Sequence, residues 1–391
     1  MKAPPMKFLR LVFMFLCVLS IASAKDLTVT VKNPATVNRP QATVALSWIE
    51  VYSRMQHPAA GLVSVVDKSN GKELISQSVD NDGDGVTDEF LFQSDFAPME
   101  SKSFLLKKSA APKKTIPSLV DGMFVEPRQD YAWENDRIAF RMYGPAVPDV
   151  DNGIDVWTKR VHSLIVKKWY KGEEAEGSAR ISYHEDHGEG ADFFAVGKTL
   201  GCGSCGLWID DTLRQPGNFL FYRTIANGPL RIVFEVTYPQ WNVRGKRYLE
   251  TKTISLDAGS QLNRIDVVYH SLHAGEPLQI AAGIVKRKGI STFRNEESGW
   301  ISLWGPTNDD PVNESLGTAI VIPKKNLAFI RDAKDQLFAV AEAGTGTRLT
   351  YFAGAAWTRM GDFASASEWN TYLQIYSQWL AAPLTIAYPG E

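Results

Sequence analysis

Arg231-Ile232-Val233-Phe234-Glu235-Val236-Thr237-Tyr238 is the stretch that decides the fold class. In an extended strand successive side chains point to opposite faces. Ile232, Phe234, Val236 and Tyr238 then share one face, and Arg231, Val233, Glu235 and Thr237 share the other. The same design recurs upstream, where Ile138, Phe140 and Met142 oppose Arg137, Ala139, Arg141 and Tyr143. It recurs downstream, where Ile265, Val267 and Tyr269 oppose Arg264, Asp266, Val268 and His270. An apolar face backed by a polar one is the signature of a long antiparallel strand packed on one side. The polar faces are either solvated or the lining of a concave cleft for a polar ligand.

Working outward, residues 27–31, 42–46, 62–66, 90–92 and 103–106 are short alternating runs separated by turn residues. That is the pattern of a small β-sandwich. A basic, Pro-containing linker follows at residues 107–114 and reads as a solvated hinge. Trp157, Val161, Leu164, Ile165 and Trp169 lie near helical spacing, so a helix is expected over 154–170. A final helix is expected over 365–380, with Trp369, Tyr372, Leu373, Tyr376 and Leu380 on its packed side. The expected organisation is mainly β: a leader at 1–24, a small β-sandwich at 25–115, and a large β domain with a few helices at 116–391.

Lys2, Lys7 and Arg10 precede an apolar run at 11–21, and Ala22-Ser23-Ala24 is a small-x-small cleavage site. The run suits a cleavable signal peptide and is short for a membrane span. A periplasmic or extracellular destination is expected, with no stable membrane span after cleavage. Cys17 follows bulky Phe15 and Leu16, which does not suit lipid attachment. Removing the three leader cations lowers Lys+Arg from 42 to 39 against 44 Asp+Glu, a net charge of about −5. That excludes a generally basic nucleic-acid binder. The eleven Trp fit either a β core or stacking on sugar rings. Cys202 and Cys205 form a C-x-x-C pair that can be a small disulfide, free thiols, or a redox or metal pair.

Three clusters could carry chemistry. Asp80, Asp82, Asp84 and Asp88 fall at positions 1, 3, 5 and 9 of a calcium loop, with Gly85 at position 6. Position 12 would be Leu91, so an EF-hand is excluded. What remains is a structural calcium site between strands or an Asp/Gly turn without metal. Tyr183-His184-Glu185-Asp186-His187-Gly188-Glu189-Gly190-Ala191-Asp192 crowds two histidines and several acids into one loop. Histidine carries protons near neutral pH, and a neighbouring carboxylate orients the imidazole. A zinc site or a structural loop are the other readings. Tyr131-Ala132-Trp133-Glu134-Asn135-Asp136-Arg137, running on to Arg141 and Tyr143, offers two arginines for a carboxylate or sulfate. Ion pairing within the fold is the other use. No G-x-S-x-G or Walker loop is present, and no dinucleotide fingerprint follows a strand.

Ala132-Trp133-Glu134-Asn135-Asp136-Arg137-Ile138-Ala139-Phe140-Arg141-Met142-Tyr143-Gly144-Pro145 resembles domain-of-unknown-function family 4861. So do Gly153-Ile154-Asp155-Val156-Trp157, the loop at 183–190, Asn227-Gly228-Pro229-Leu230-Arg231 and Gly354-Ala355-Ala356-Trp357. The resemblance implies a secreted bacterial protein of polysaccharide use with a galactose-mutarotase-like β-supersandwich. It implies removal of water from the non-reducing-end uronate of an acidic oligosaccharide, leaving a 4,5-unsaturated sugar. No cofactor is needed for that chemistry. His184 and His187, with Tyr143 and Tyr183, are the expected acid and base. Arg137 and Arg141 are expected to clamp the carboxylate, with Trp133 beside them. Glu189 and Asp192 are expected to orient a histidine or hold hydroxyls. Arg231, Glu235 and His270 complete the expected cleft. An aldose mutarotase or epimerase, or a non-catalytic glycan-binding module, are the alternatives.

Overall fold

The computed structural model describes residues 25–109, 116–147 and 152–390. The leader, residues 110–114 of the linker and residue 115 lie outside the described residues; Lys107 and Lys108 belong to a strand. The fold is mainly β.

The N-terminal part is two small antiparallel sheets. One contains Leu27–Lys32, Ser101–Lys108, Val63–Asp67 and Glu73–Leu74; the other contains Arg39–Ser47, Glu89–Phe96 and Ser76–Val79. Val29, Val31, Val44, Leu46, Phe92 and Phe104 fill the space between them. A short helix at Trp48–Arg54, which the alternation does not announce, closes one end with buried Trp48 and Val51. The chain returns here at its end, where Thr385–Ala387 pairs with Leu27–Lys32.

The large part is the supersandwich. A nine-stranded antiparallel sheet includes Arg231–Thr237, Lys246–Asp257, Leu262–His270 and Leu349–Trp357. It faces a five-stranded sheet that includes Cys202–Ile209, Pro277–Val285 and Gln336–Gly344. Ile232, Phe234 and Val236 enter the shared core with Ile265, Val267 and Tyr269, as the alternation requires. Full burial of each such side chain stabilises the fold by about 2 kcal/mol. The helix Ala366–Ala381 is capped by the Ser365 side chain, which accepts from the Glu368 amide. Trp369 and Leu373 fix it to Trp300, Val321 and Phe352 on the outer face of the large sheet.

A third sheet positions the site. Its order is Gly190–Ala191, Ile154–Lys159, Ala139–Tyr143, Asp130–Asn135, Val120–Val125. One face sends Tyr131, Trp133, Phe140, Met142, Ile154 and Val156 into the main core. The register places Arg141 opposite Asp155 and Ala132, and Tyr143 opposite Asp130. The second face therefore carries Asp130, Glu134, Arg141, Tyr143, Asp155 and Lys159. Helix Val166–Glu173 and the chain around Tyr183 cover it, through Trp169, Tyr170 and Tyr183. The expected helix over 154–170 is thus corrected. Ile154–Lys159 is a strand, and the helix starts only at Val166. All six strand residues are buried, so both faces lack the polar contrast that separates a strand from a helix.

No helix among the described residues is long and apolar enough to cross a membrane.

Candidate active site

Arg141 is the hub of the covered face. Its Nη2 lies 2.6 Å from Asp155 Oδ2 and 2.9 Å from Asp192 Oδ2, and donates to Tyr143 Oη at 2.9 Å. Its Nη1 donates to Tyr183 Oη at 3.2 Å. Tyr143 in turn donates to Asp155 Oδ2 at 2.9 Å. Asp130 lies 3.9 Å from Arg141 and accepts from Tyr170 at 3.3 Å. The guanidinium is stacked close to the rings of Tyr143, Trp157 and Tyr183.

Three carboxylates around one cation cannot all ionise easily. Burial, then the charge of Asp155, raises the Asp192 carboxyl well above its ordinary range, with Arg141 pulling against them. Burial lifts Asp130 to about 6. Burial and then Asp155 push the Tyr143 phenol up, so it keeps its proton. Burial opposes the Arg141 charge, but Asp155, Tyr143 and Asp192 more than restore it.

His184 joins this cluster to solvent. Its side chain is 57% exposed while that of Asp192 is 4% exposed. Its Nδ1 lies 3.3 Å from the Asp192 carbonyl oxygen and 3.6 Å from Asp192 Oδ2. The imidazole rests on Tyr183, with ring centroids 4.6 Å apart. With Nδ1 turned to Asp192, Nε2 is the free nitrogen. His187 is half exposed and takes different partners, the Ser182 carbonyl at 3.2 Å and Glu185 at 3.9 Å. It borders a small cavity of about 110 Å³ with Trp169, Ile181, Tyr183 and Glu189. The loop is held by Asp186. Its carboxylate accepts from the Gly188 and Gly190 amides and lies 3.0 Å from Arg359 and 3.3 Å from Arg160. Gly190 sits at φ 118°, and a Cβ there would lie 2.0 Å from the Thr158 carbonyl oxygen, so only glycine fits.

Several expected roles do not survive this geometry. Arg137 and Arg141 do not form one clamp, because Arg137 lies in the bend before strand Ala139–Tyr143 and only Arg141 is on the strand. Arg137 pairs with Asp362 at 2.8 Å, and Arg141 is buried with its donors already used. Trp133 is fully buried and donates to Asn263, out of reach of a ligand. Glu189 orients neither histidine; it takes Lys168 at 2.7 Å and Trp169 Nε1 at 3.3 Å. Arg231 binds Asp257 and faces Glu89 of the N-terminal sandwich. Glu235 faces Arg223, and His270 is exposed at a strand end. By register these last three align with Asp257, Thr253 and Leu249 of one strand, stepping away along the large sheet rather than closing on the His184 loop.

Of the three readings of the C-x-x-C pair, the structure has Cys202 and Cys205 as free thiols and not as a disulfide. A bulge separates them on their strand, so that they stand opposite Ile284 and Ala282. Cys202 donates to the Gly354 carbonyl, and Cys205 faces Tyr269. Burial raises their pKa values to about 12 and about 11, so both are inert.

Sequence reading missed Asp130, Asp155, Tyr170 and Arg128. The helix expected over 154–170 hid Asp155, whose alternation with Ile154 and Val156 was the available signal. Tyr170 and Asp130 carry no motif; only folding brings them together.

In the Asp80–Asp88 loop, oxygens of Asp80, Asp82 and Asp88 lie within 4.8 Å of one another. Asp80 accepts from the Gly83 and Gly85 amides, and Asp88 from the Asn81 amide. Asp84 turns away to the Val86 amide. The hard oxygen donors suit calcium.

Residues 31–386 match the family described as Domain of unknown function (DUF4861). The chain belongs to this family. A relative, an uncharacterized protein P7 of Formosa agariphila, is 31% identical over 376 residues, an alignment that covers 92% of both chains. A glycosyl hydrolase family 38 protein from Enterococcus faecalis shares the fold at a TM-score of 0.51 and 11% identity. The alignment covers 93% of this chain and 47% of that one. An alpha-mannosidase from the same organism aligns at a TM-score of 0.47 and 10% identity, over 93% of this chain and 46% of that one. The DUF4861 chain thus spans about half the length of these solved structures.

Proposed function

We propose that the protein is an exported carbohydrate-active lyase. It removes water from the non-reducing-end uronate of an acidic oligosaccharide and leaves a 4,5-unsaturated sugar. The observation that carries this reading is the exposed His184 imidazole set against buried Asp192, which Arg141 links to Tyr143. Elimination needs a base at C5, a proton for the departing O4, and positive charge near the carboxylate. His184 Nε2 takes the C5 proton. The electron pair forms the C4–C5 double bond, and O4 leaves as water with the proton of Tyr143, whose phenolate the Arg141 guanidinium at 2.9 Å stabilises. Arg141 holds Tyr143 and Asp192 in place and faces the developing charge from below. Tyr183 is buried, so it supports His184 rather than exchanging protons.

The test is the ultraviolet absorbance of the conjugated double bond when the purified protein meets uronate-ended oligosaccharides. Wild type is expected to raise it, and His184→Ala to abolish the rise. No rise with any such substrate would overturn the reading. Change in optical rotation without absorbance would instead indicate a mutarotase or epimerase, and binding without turnover a glycan-binding module.

Two further parts belong to the proposal. The leader at residues 1–24 would act as an export signal to the periplasm or medium. A structural calcium ion would be held by Asp80, Asp82 and Asp88, stiffening the loop without entering the reaction.

A further inference from the structure

With Arg137 and Arg141 both committed elsewhere, the uronate carboxylate needs another cation on this face. Of the lysines on the covering helix, Lys167 holds Asp121 and Lys171 offers no planar fork; the remaining candidates among the described residues are Arg128, Arg160, Lys168, Arg180 and Arg359. Arg160 and Arg359 hold Asp186, Lys168 holds Glu189, and Arg180 holds Glu173. Arg128 alone among them has no carboxylate within 3.5 Å; its nearest is Glu173 at 3.8 Å, on the oxygen that Arg180 already binds.

Its position is equally particular. Arg128 lies in the turn that joins Val120–Val125 to Asp130–Asn135, at the end of the sheet where Asp130 faces Tyr143. Its guanidinium sits 5.5 Å from the centroid of the Tyr183 ring, which Arg141 approaches at 5.7 Å. The next ring is His184. Tyr183 is therefore flanked by a buried, saturated arginine and by one 35% exposed. A planar fork with unused donors beside a base is suited to bidentate binding of a carboxylate.

We propose that Arg128 binds the carboxylate of the terminal uronate and sets the preference for acidic over neutral ends. This rests on the lyase reading for the identity of the ligand. The probes are a disaccharide with a non-reducing glucuronic acid and its carboxyl-reduced counterpart ending in glucose. Binding is read by calorimetry and turnover by absorbance, for wild type, Arg128→Ala and Arg128→Lys. Arg128→Ala is expected to weaken binding of the acidic probe about 30-fold and leave the neutral probe unchanged; Arg128→Lys, a charge without the fork, is expected to fall between. A circular dichroism melt at the wild-type temperature establishes that the turn variants fold. Turnover by wild type, with the acidic preference intact in Arg128→Ala, would overturn the inference and leave the lyase reading standing. Acidic preference lost in Arg128→Ala, with no absorbance change in wild type, would support the inference and overturn the lyase reading. A wild type with neither preference nor turnover would overturn both.

Discussion

Two of the buried ionic clusters among the described residues, those around Arg141 and Lys252, differ in one respect that matters. Around Arg141 the cluster ends at His184 and Tyr143, which reach the surface. Around Lys252 it ends nowhere. Lys252 and Glu250 are fully buried, 2.6 Å apart, inside the supersandwich. Lys252 donates to Asn152 at 2.6 Å, Tyr238 at 3.0 Å and Ser204 at 3.1 Å, all of them buried. Burial works against its charge, but Glu250 and the surrounding groups hold it protonated. Burial and perturbed ionisation are common to both clusters, so neither marks a site. What marks one is a titratable group at the boundary, with the buried network behind it. The Lys252 cluster fixes how two strands meet; the Arg141 cluster aims an imidazole outward.

The comparison can be broken by mutation. The largest expected effect is on turnover: His184→Ala lowers kcat by about 10²–10⁴-fold, the usual worth of a positioned base, with the melting temperature nearly unchanged. Equal loss of activity on Lys252→Met, in protein that is still folded, would erase the distinction. Lys252→Met leaves Glu250 buried without its partner, and is expected to cost about 3–5 kcal/mol of stability in denaturant titration. A cost below ~1 kcal/mol would mean that water reaches the cluster.

A smaller effect separates the clusters by pH. Asp130 binds its proton more tightly folded than unfolded, with a folded value of about 6. Its contribution is fully present below the unfolded value near 4 and is lost as pH rises through 6. Asp130→Asn removes that loss, so it is expected to stabilise the protein by about 1–2 kcal/mol at pH 8 relative to pH 4. Thermal melts at the two pH values read this; a gain that is the same at both contradicts it. The smallest effect is calcium at Asp80, Asp82 and Asp88. A millimolar addition is expected to raise the melting temperature by a few degrees, roughly the linkage of a site near saturation. The shift should vanish in Asp80→Asn.

The strands of the supersandwich were legible in the sequence because each has one apolar and one polar face; 231–238 and 264–270 read correctly for that reason. Ile154–Lys159 did not, since burial on both faces removes the contrast. The His184 loop was legible as a cluster of proton carriers on one short segment. Its backing was not. Asp130 and Tyr170 come from separate elements, and nothing local distinguishes them from surface residues. Two arginines were expected on one strand face, but the strand begins at Ala139 and leaves Arg137 in the bend before it, and their partners, Asp155 and Asp362, are set by cross-strand register and by a loop more than two hundred residues away. Sequence gives the face a side chain takes; register decides whether its charge is already spent.

The account rests on His184 as the solvent-facing end of the Asp192 network. The most direct measurement is absorbance at the conjugated-alkene band, taken with uronate-ended oligosaccharides for wild type, His184→Ala and Asp192→Asn in parallel. The expected result is a rise in wild type, none in His184→Ala, and a much slower rise in Asp192→Asn. A rise of wild-type rate in His184→Ala would contradict the account and move the chemistry elsewhere in the fold.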